Sequence, residues 1–573
     1  MADESQTSPS AFVCEGGLIK SRSTFIMQPG QALELLNFEP DIEGGYRRIS
    51  GFRKFVNHIV PQTSTSTEKV LMIAFFNNNI VAARGEKIFS SASTELASAI
   101  TSSATMSGSG TITVDSTVGF SSSGTLQIDS EIFTYTGVTS TTFTGVTRAT
   151  SSTTAAAHIV DSVVSESWTQ RDTGRTNAGK YAFERFNFDG NDKIIVTDGT
   201  NDPTVFNTSF SATDVTESSV EGSKFVTAFK NHMFYAGMSS TPQEVVFSQP
   251  FDEDAFNSGS GAGSIKVDDT IVGLKAFRND LFIFCENRIF KLSGSTSSDF
   301  AITPVTRNIG CVNGDTIQEF AGDLIFLGPD GLRTVAGTAR IGDVELGTIS
   351  ANVQSIFDKN LIDSELFESV VIPDKTQYRI FFPKDGTSED NTRGVICVMK
   401  GQNFEFSELR GIKPASTDTF VAAGDVFVLH GGYDGYIHRQ EKGNDFDGTA
   451  VSGRYRSPDL TFGDPGIRKH MQRVIVNYKP ESAINADMFV RYDYEDRNSS
   501  RPAAYSLDSE DVVAIYGAST YGTPTYGGAS QPLLRQSVEG SGFAVALRVN
   551  DSALTAPYSL KGFQLEYQLG ARR

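Results

Sequence analysis

The chain has 573 residues, 39% of them hydrophobic and 20% charged, so it holds enough apolar material for a buried core and is too long for one ordinary domain. Lys plus Arg number 49 against 68 Asp plus Glu, a net charge of −19, which excludes a general nucleic-acid-coating protein with a basic face. The longest apolar run, Val70 to Phe76, falls far short of the roughly 20 residues of a membrane helix. The N-terminus, MADESQTSPS, lacks the basic start and apolar stretch of a signal peptide. Cys14, Cys285, Cys311 and Cys397 are widely spread with no CxxC pair and read as buried small hydrophobes folded in a reducing compartment.

In chain order, residues 1–66 form an N-terminal segment and residues 67–90 carry the first strands of a larger unit. Residues 91–166 differ in composition: positions 91–160 hold 32 Ser and Thr, no Lys and one Arg, Arg148. Thr111-Ile-Thr-Val, Gly124-Thr-Leu-Gln-Ile, Glu131-Ile-Phe-Thr-Tyr and Thr142-Phe-Thr-Gly-Val alternate between turn residues, the pattern of a small inserted β module rather than a tether. Helical spacing is scarce, with candidates only over 91–104 and over 355–371, where Ile356, Leu361, Leu366 and Phe367 recur.

From 167 to 447 one pattern recurs: a polar turn pair, an apolar strand, a Gly or Asn turn, another strand. Its strands begin at Asn191, Asn231, Asn279, Gly322 and Gly424, with Gln377-Tyr-Arg-Ile-Phe-Phe filling the double gap and Asn77 to Ala83 adding a member ahead of the insert. A multi-stranded unit every 40 to 50 residues or so predicts a β-propeller of six or seven blades, in which radial packing buries the blade faces and ring closure removes the end faces. Residues 448–573 predict a β-sandwich: Arg473-Val-Ile-Val-Asn-Tyr, Asp487-Met-Phe-Val-Arg-Tyr and Phe543-Ala-Val-Ala-Leu-Arg-Val alternate with one buried face. Within it, Tyr516, Tyr521 and Tyr526, each followed by Gly, predict an extended loop offering aromatic contacts. The fold class is all-β.

Catalytic signatures are absent: there is no GxSxG, P-loop or HExxH. Asp445-Phe-Asp447-Gly448 and Asn187-Phe-Asp189-Gly190 fail as calcium loops, since Arg454 or Val196 stands where the twelfth-position carboxylate belongs. His430 and His438 flank a predicted hairpin with no third ligand evident, and a structural role outweighs zinc. Neither a cofactor nor a metal is expected, and the chain is not read as an enzyme; two apposed acids in a propeller pocket are the one catalytic alternative.

Leu36-Asn-Phe-Glu-Pro-Asp-Ile-Glu-Gly-Gly-Tyr-Arg-Arg-Ile-Ser-Gly-Phe-Arg-Lys-Phe resembles the N-terminal motif of the tail nozzle (tail tubular or stabilisation) proteins of short-tailed bacteriophages. Arg454-Tyr-Arg-Ser-Pro-Asp-Leu-Thr-Phe-Gly-Asp-Pro and the ending Gly562-Phe-Gln-Leu-Glu-Tyr with Gly570-Ala-Arg-Arg add to it; the insert is the departure. The resemblance implies a structural virion protein assembled in the host cytoplasm. It would form a homohexameric ring under the portal and adaptor, carrying tail fibres or spikes and passing genomic DNA through its lumen without specific binding. An acidic lumen would repel phosphates along the whole passage. On this reading 1–66 contacts the ring or adaptor. Tyr46, Arg47, Arg48, Phe52, Arg572 and Arg573 are the expected subunit contacts, because arginine forks bind neighbouring carboxylates bidentately. The rivals are a propeller glycosidase and a receptor- or polysaccharide-binding module.

Overall fold

The computed structural model describes residues 8–62, 69–176, 179–335, 348–358, 366–383, 390–422, 424–481, 484–507 and 533–572. Seven β-sheets stand around one axis, six with four blade strands and one with three. Blade 1 consists of Met72–Phe76, Asn79–Arg84, Lys87–Ser91 and Thr169–Asp172; blade 2 runs from Ala182–Phe188 to Ala212–Asp214 and blade 3 from Phe225–Phe229 to Gly263–Lys266. Blade 4 runs from Ile271–Phe277 to Ala301–Thr306, and the three-stranded blade 5 from Gln318–Phe320 to Gly331–Thr334. Blade 6 comprises Glu368–Ile372, Gln377–Phe382, Arg393–Lys400 and Asn403–Arg410; blade 7 begins with Pro414–Ala422, Asp425–Gly432 and Ile437–Gln440. Every recurring apolar segment of the sequence is the second strand of its blade. Four of the turns ahead of them take left-handed backbone at both central residues, at Asn77-Asn78, Asp189-Gly190, Lys230-Asn231 and Ala321-Gly322. That is the demand of a two-residue hairpin, which explains the Asn, Asp and Gly there.

A strand from the N-terminal segment closes the ring. Phe52–Lys54 pairs antiparallel with Ile437–Gln440, so blade 7 takes its outer strand from the opposite end of the chain. Separate apolar clusters fill the gaps between neighbouring blades: Val81 and Ile88 against Ile194 and Phe206, for example, or Ile283 and Leu292 against Phe234 and Phe247. Each gap buries two sheet faces that one blade alone would expose to water.

Residues 1–66 are not a unit of their own. Beyond the closing strand, Glu34–Leu36 continues the sheet of blade 6, pairing with both Asn403–Arg410 and Gly453–Arg456. That sheet runs on through Val545–Asp551 and Ala486–Tyr492 to Tyr505–Ser506. A second sheet faces it, built on the long pair Ile467–Pro480 and Tyr558–Arg572, with Tyr46–Arg48 and Ser8–Val13 against the last strand. The two sheets form a sandwich whose core holds Tyr46, Tyr455, Val474, Met488, Val549 and Leu565, and this core is continuous with that between blades 5 and 6. The expected C-terminal sandwich therefore contains N-terminal strands and shares a sheet with the propeller.

The insert leaves blade 1 between its third and fourth strands, where Ser90 and Thr169 are cross-strand partners. Its sheet encloses Ile112, Leu126, Phe133, Phe143 and Val164. Arg148, its one cation, grips buried Glu131 through two bonds of 2.7 and 2.8 Å. The helix expected over 91–104 does not form, and of the one expected over 355–371 only a short piece is described. Over 91–104 the chain makes the strand Ser93–Glu95 and a bridge at Ile100, whose apolar residues face the module's core. Over 355–371 there is a helix of four residues, Gln354–Phe357, and Glu368–Ile372 is the innermost strand of blade 6; 359–365 lie outside the described residues. The β-branched Val370, Val371 and Ile372 decide that conflict in favour of the strand.

Candidate functional site

The innermost strands enclose a cavity of about 840 Å3 along the propeller axis, lined by residues from all seven blades. A second cavity of about 510 Å3 meets it at Lys180, Tyr181 and Asp315. Lys180, in the link between blades 1 and 2, reaches across the axis to Asp315 at 2.7 Å and also pairs with Glu368 on the first strand of blade 6. The Thr417 hydroxyl donates to the other Glu368 oxygen at 2.8 Å. One blade further round, Arg185 pairs with buried Asp418, which also accepts the Phe75 N–H at 2.9 Å. Burial is the largest influence on Glu368; Lys180 opposes it, Asp315 adds to it, and the carboxyl is pushed up to about 7. Burial likewise raises Glu184 and Asp418, against the pull of Lys275 and Arg185.

The chemistry of this site follows from its pairing. Asp315 and Glu368 share one ammonium, so neither is a free nucleophile facing a free acid across a substrate. The axis binds blades to one another through charge. No local motif announces these residues. They sit on first strands or in the links before them, and lining up that position of each repeat is what brings them together.

The motif of residues 36–55 lies between sandwich and propeller. A Cβ on Gly45, at φ +92, would stand 2.5 Å from the Leu560 carbonyl oxygen, and one on Gly51 would stand 1.8 Å from that of Asp445. The glycines thus allow two close backbone passes. Tyr46 is fully buried; its hydroxyl accepts from Gly17 N–H at 3.1 Å and donates to the Gly30 carbonyl at 2.6 Å. Arg48 is fully buried, paired with Asp551 at 3.1 Å and donating to the Ala553 carbonyl at 3.0 Å. Arg47 holds Glu481 through bonds of 2.6 and 2.9 Å and Glu39 at 3.0 Å. Glu39 also meets Lys375 and Arg379, and Arg379 meets Glu441 at 2.5 Å, so one ionic network ties the sandwich to blades 6 and 7. Burial acts to raise Glu441, but Lys375 and Arg379 outweigh it and hold its carboxyl at about 2.

Tyr46 and Arg48 are therefore engaged inside their own chain and offer no surface, which corrects their assignment as contact residues; Arg47 is mostly engaged there as well. Phe52 is buried in the closing seam, stacked on Phe446 at 5.2 Å with its ring near those of His430 and His438. The two histidines stack on each other at 4.9 Å, and Asp434 Oδ2 lies 3.3 Å from His438 Nε2. Arg572 ends the last strand opposite Ile467. Arg573, Tyr516, Tyr521 and Tyr526 lie outside the described residues. Trp168 donates its ring N–H to the His58 carbonyl at 3.0 Å where the insert rejoins blade 1.

No family model and no curated protein matches the chain. Among solved structures it is similar to Raptor of Chaetomium thermophilum, at 9% identity over 70% of this chain and 29% of that one, with a TM-score of 0.36. It is also similar to the Pan2 WD40 domain of Neurospora crassa, at 9% identity over 66% and 91%, TM-score 0.27. A third is PorZ of Porphyromonas gingivalis, at 8% over 71% and 45%, TM-score 0.26. The chain spans under a third of the length of that Raptor chain. Likenesses this distant carry no functional argument.

Proposed function

We propose that this protein is a structural subunit of a short phage tail, a nozzle that assembles as a homohexameric ring below the adaptor and conducts DNA on ejection. One observation carries the reading: apolar surface is concentrated on the sandwich. Val13, Phe25, Ile26, Ile42, Tyr494, Leu533, Leu554 and Leu569 stand exposed on it and its turns, against Ile59, Phe251 and Val421 on the propeller and Val118, Ile159 and Val160 on the insert. Leu569 makes the point most directly. Phe563, Leu565 and Tyr567 precede it at every second position and are buried, while Leu569 is 55% exposed, so the apolar face runs on past the end of the core. An exposed apolar face of that kind marks a site where another polypeptide would dock. The resemblance of residues 36–55 and of 454–465 to nozzle proteins supplies the identity of the assembly, and the charge of −19 suits a wall that DNA must not adhere to.

Native mass spectrometry and negative-stain imaging of the purified chain test this. Rings of six copies are expected. A chain that stays monomeric at every concentration refutes the proposal, and so does a ring whose lumen is dominated by Lys and Arg.

A further inference from the structure

The sheet shared by blade 6 and the sandwich gathers arginines that lie far apart in sequence. Arg393 is cross-strand to Arg410, Leu36 to both Glu408 and Arg454, Glu34 to Arg456, Arg456 to Arg548, and Arg548 to Phe489. Cross-strand partners and residues two apart share a face. Arg410, Arg454, Arg456, Arg548 and Arg491 therefore project from the same side, opposite the side on which Tyr455, Leu547 and Val490 are buried. Placing Arg456 directly against Arg548 costs stability, as like charges in facing positions do.

These arginines differ from Arg47 and Arg48 in how they are neutralised. Arg454 and Arg548 approach Glu34 at 3.9 and 3.6 Å, Arg456 and Arg548 approach Glu495 at 3.7 and 3.8 Å, and Arg410 approaches Glu408 at 3.6 Å. All of these exceed hydrogen-bonding distance. The buried Nε atoms of Arg456 and Arg548 have no hydrogen-bond partner among the described residues, and neither do Glu34 Oε2 and Asp459 Oδ1. Phe25 and Ile26, both 62% exposed, border the face through Thr24, whose hydroxyl donates to Asp459 at 2.9 Å; Tyr494 borders it beside Glu495. Arginine with exposed aromatics is the composition of a protein-binding hot spot. The interleaved Glu34, Glu408 and Glu495 would repel a continuous run of phosphates but admit separate carboxylates at side-chain spacing.

The chain itself carries such carboxylates. Residues 194–223 contain five carboxylates and no Lys or Arg; Asp198 pairs with Arg175 at 2.8 Å, while Asp202, Asp214, Glu217 and Glu221 form no ion pair among the described residues. Asp214, on the outermost strand of blade 2, is cross-strand to Thr204; the Val215 N–H bonds the Pro203 carbonyl at 2.8 Å and the Gly222 N–H bonds the Asn201 carbonyl at 3.2 Å, which sets Asp202, Asp214 and Glu221 close together on blade 2. Blades 2 and 6 are three positions apart in the seven-sheet ring, close to opposite sides, so the two surfaces cannot meet within one chain. Complementary patches on opposite sides make head-to-tail contacts, which close into a ring when the rotation between copies is a simple fraction of a turn.

We propose that the arginine face of one copy receives the carboxylate edge of blade 2 of the next copy. This rests on the reading of the chain as a ring subunit. The test compares the wild type, Arg454→Glu with Arg548→Glu, Asp214→Arg with Glu221→Arg, and the four changes combined, by native mass spectrometry and light scattering. Melting temperatures of the monomers confirm folding, and Arg454→Gln serves as a milder variant. Each reversed pair should lower the ring population at least about tenfold, the combined variant should recover it, and raising salt from about 0.15 to 0.5 M should weaken the wild-type ring. Rings that persist when the arginines are reversed overturn this interface and leave the ring reading intact. Disruption by the arginine pair without recovery in the combined variant overturns blade 2 as the occupant. A wild type that never assembles overturns both.

Discussion

The propeller and the sandwich are built from the same kind of strand by opposite strategies. Blades 1 to 6 draw their four or three strands from nearby sequence, and each buries its faces against the next, so the ring satisfies itself once Phe52–Lys54 closes it. The sandwich joins strands from both ends of the chain, Tyr46–Arg48 against Tyr558–Arg572 for example, and it leaves apolar residues and loosely paired arginines at its surface. The difference teaches where to look for assembly. A closed repeat leaves no face open, whereas a sandwich with an overrunning apolar face is where the proposed ring contact would sit.

The largest expected effect tests whether the sandwich stands alone. Arg48→Met would leave Asp551 buried without its counter-ion, a loss of about 3–5 kcal/mol in urea unfolding. Because the sandwich core is continuous with that between blades 5 and 6, the transition should stay single and shift as a whole. A variant in which the sandwich melts apart from an unshifted propeller would break the comparison in its present form.

Next comes the closure of the ring. Phe52→Ala removes a ring packed on Phe446, His430 and His438 and should cost about 3 kcal/mol. Hydrogen exchange should locate the loosening in Phe52–Lys54 and Ile437–Gln440, where the two ends of the chain are joined. Protection that falls uniformly over the propeller would show closure to be no weaker than any blade gap.

The same seam makes stability depend on pH. Burial, with the adjacent His438, holds His430 well below the ordinary histidine value, and only Asp434 acts against this. The folded protein then binds fewer protons at this site than the unfolded chain does once pH falls below the unfolded value of about 6.5. This contribution is present above that pH and is lost progressively as pH drops beneath it. The melting temperature should fall between about pH 6.5 and 5, and His430→Asn should flatten that slope. An unchanged slope in the variant would assign the dependence to other groups.

The propeller was legible because its signal is local and repeated: an apolar strand behind an Asn, Asp or Gly turn, seven times, at a spacing only a bladed ring explains. The insert was legible through composition. What joins the regions was not. The closing strand is three residues long and reads as part of a motif, and nothing near Glu39 indicates that its carboxylate will meet Arg379 and Lys375 more than 330 residues later. The axial cluster of Lys180, Asp315 and Glu368 was hidden similarly, each residue ordinary in its neighbourhood. The bidentate reach of arginine, within a motif resembling nozzle proteins, pointed to contacts at Arg47 and Arg48, but burial decides whether an arginine is engaged within its chain, and burial depends on strands paired across the whole sequence.

The smallest effect sharpens that last point. Arg47→Ala removes a bidentate grip on Glu481, whose side chain is 42% exposed, so water replaces much of what that carboxylate loses. Glu39 is the buried partner, yet it keeps Lys375, Gln377 and Arg379. The network therefore survives with one member missing, and the expected loss is about 1 kcal/mol, reduced further by salt. Ring formation should be unaffected, since Arg47 is engaged within its own chain, whereas reversing Arg454 and Arg548 should lower the ring population at least about tenfold. The two experiments together separate arginines that hold the subunit together from arginines that hold subunits to one another. If Arg47→Ala dissolved the ring while the reversed pair left it whole, the roles assigned to the two groups would have to be exchanged.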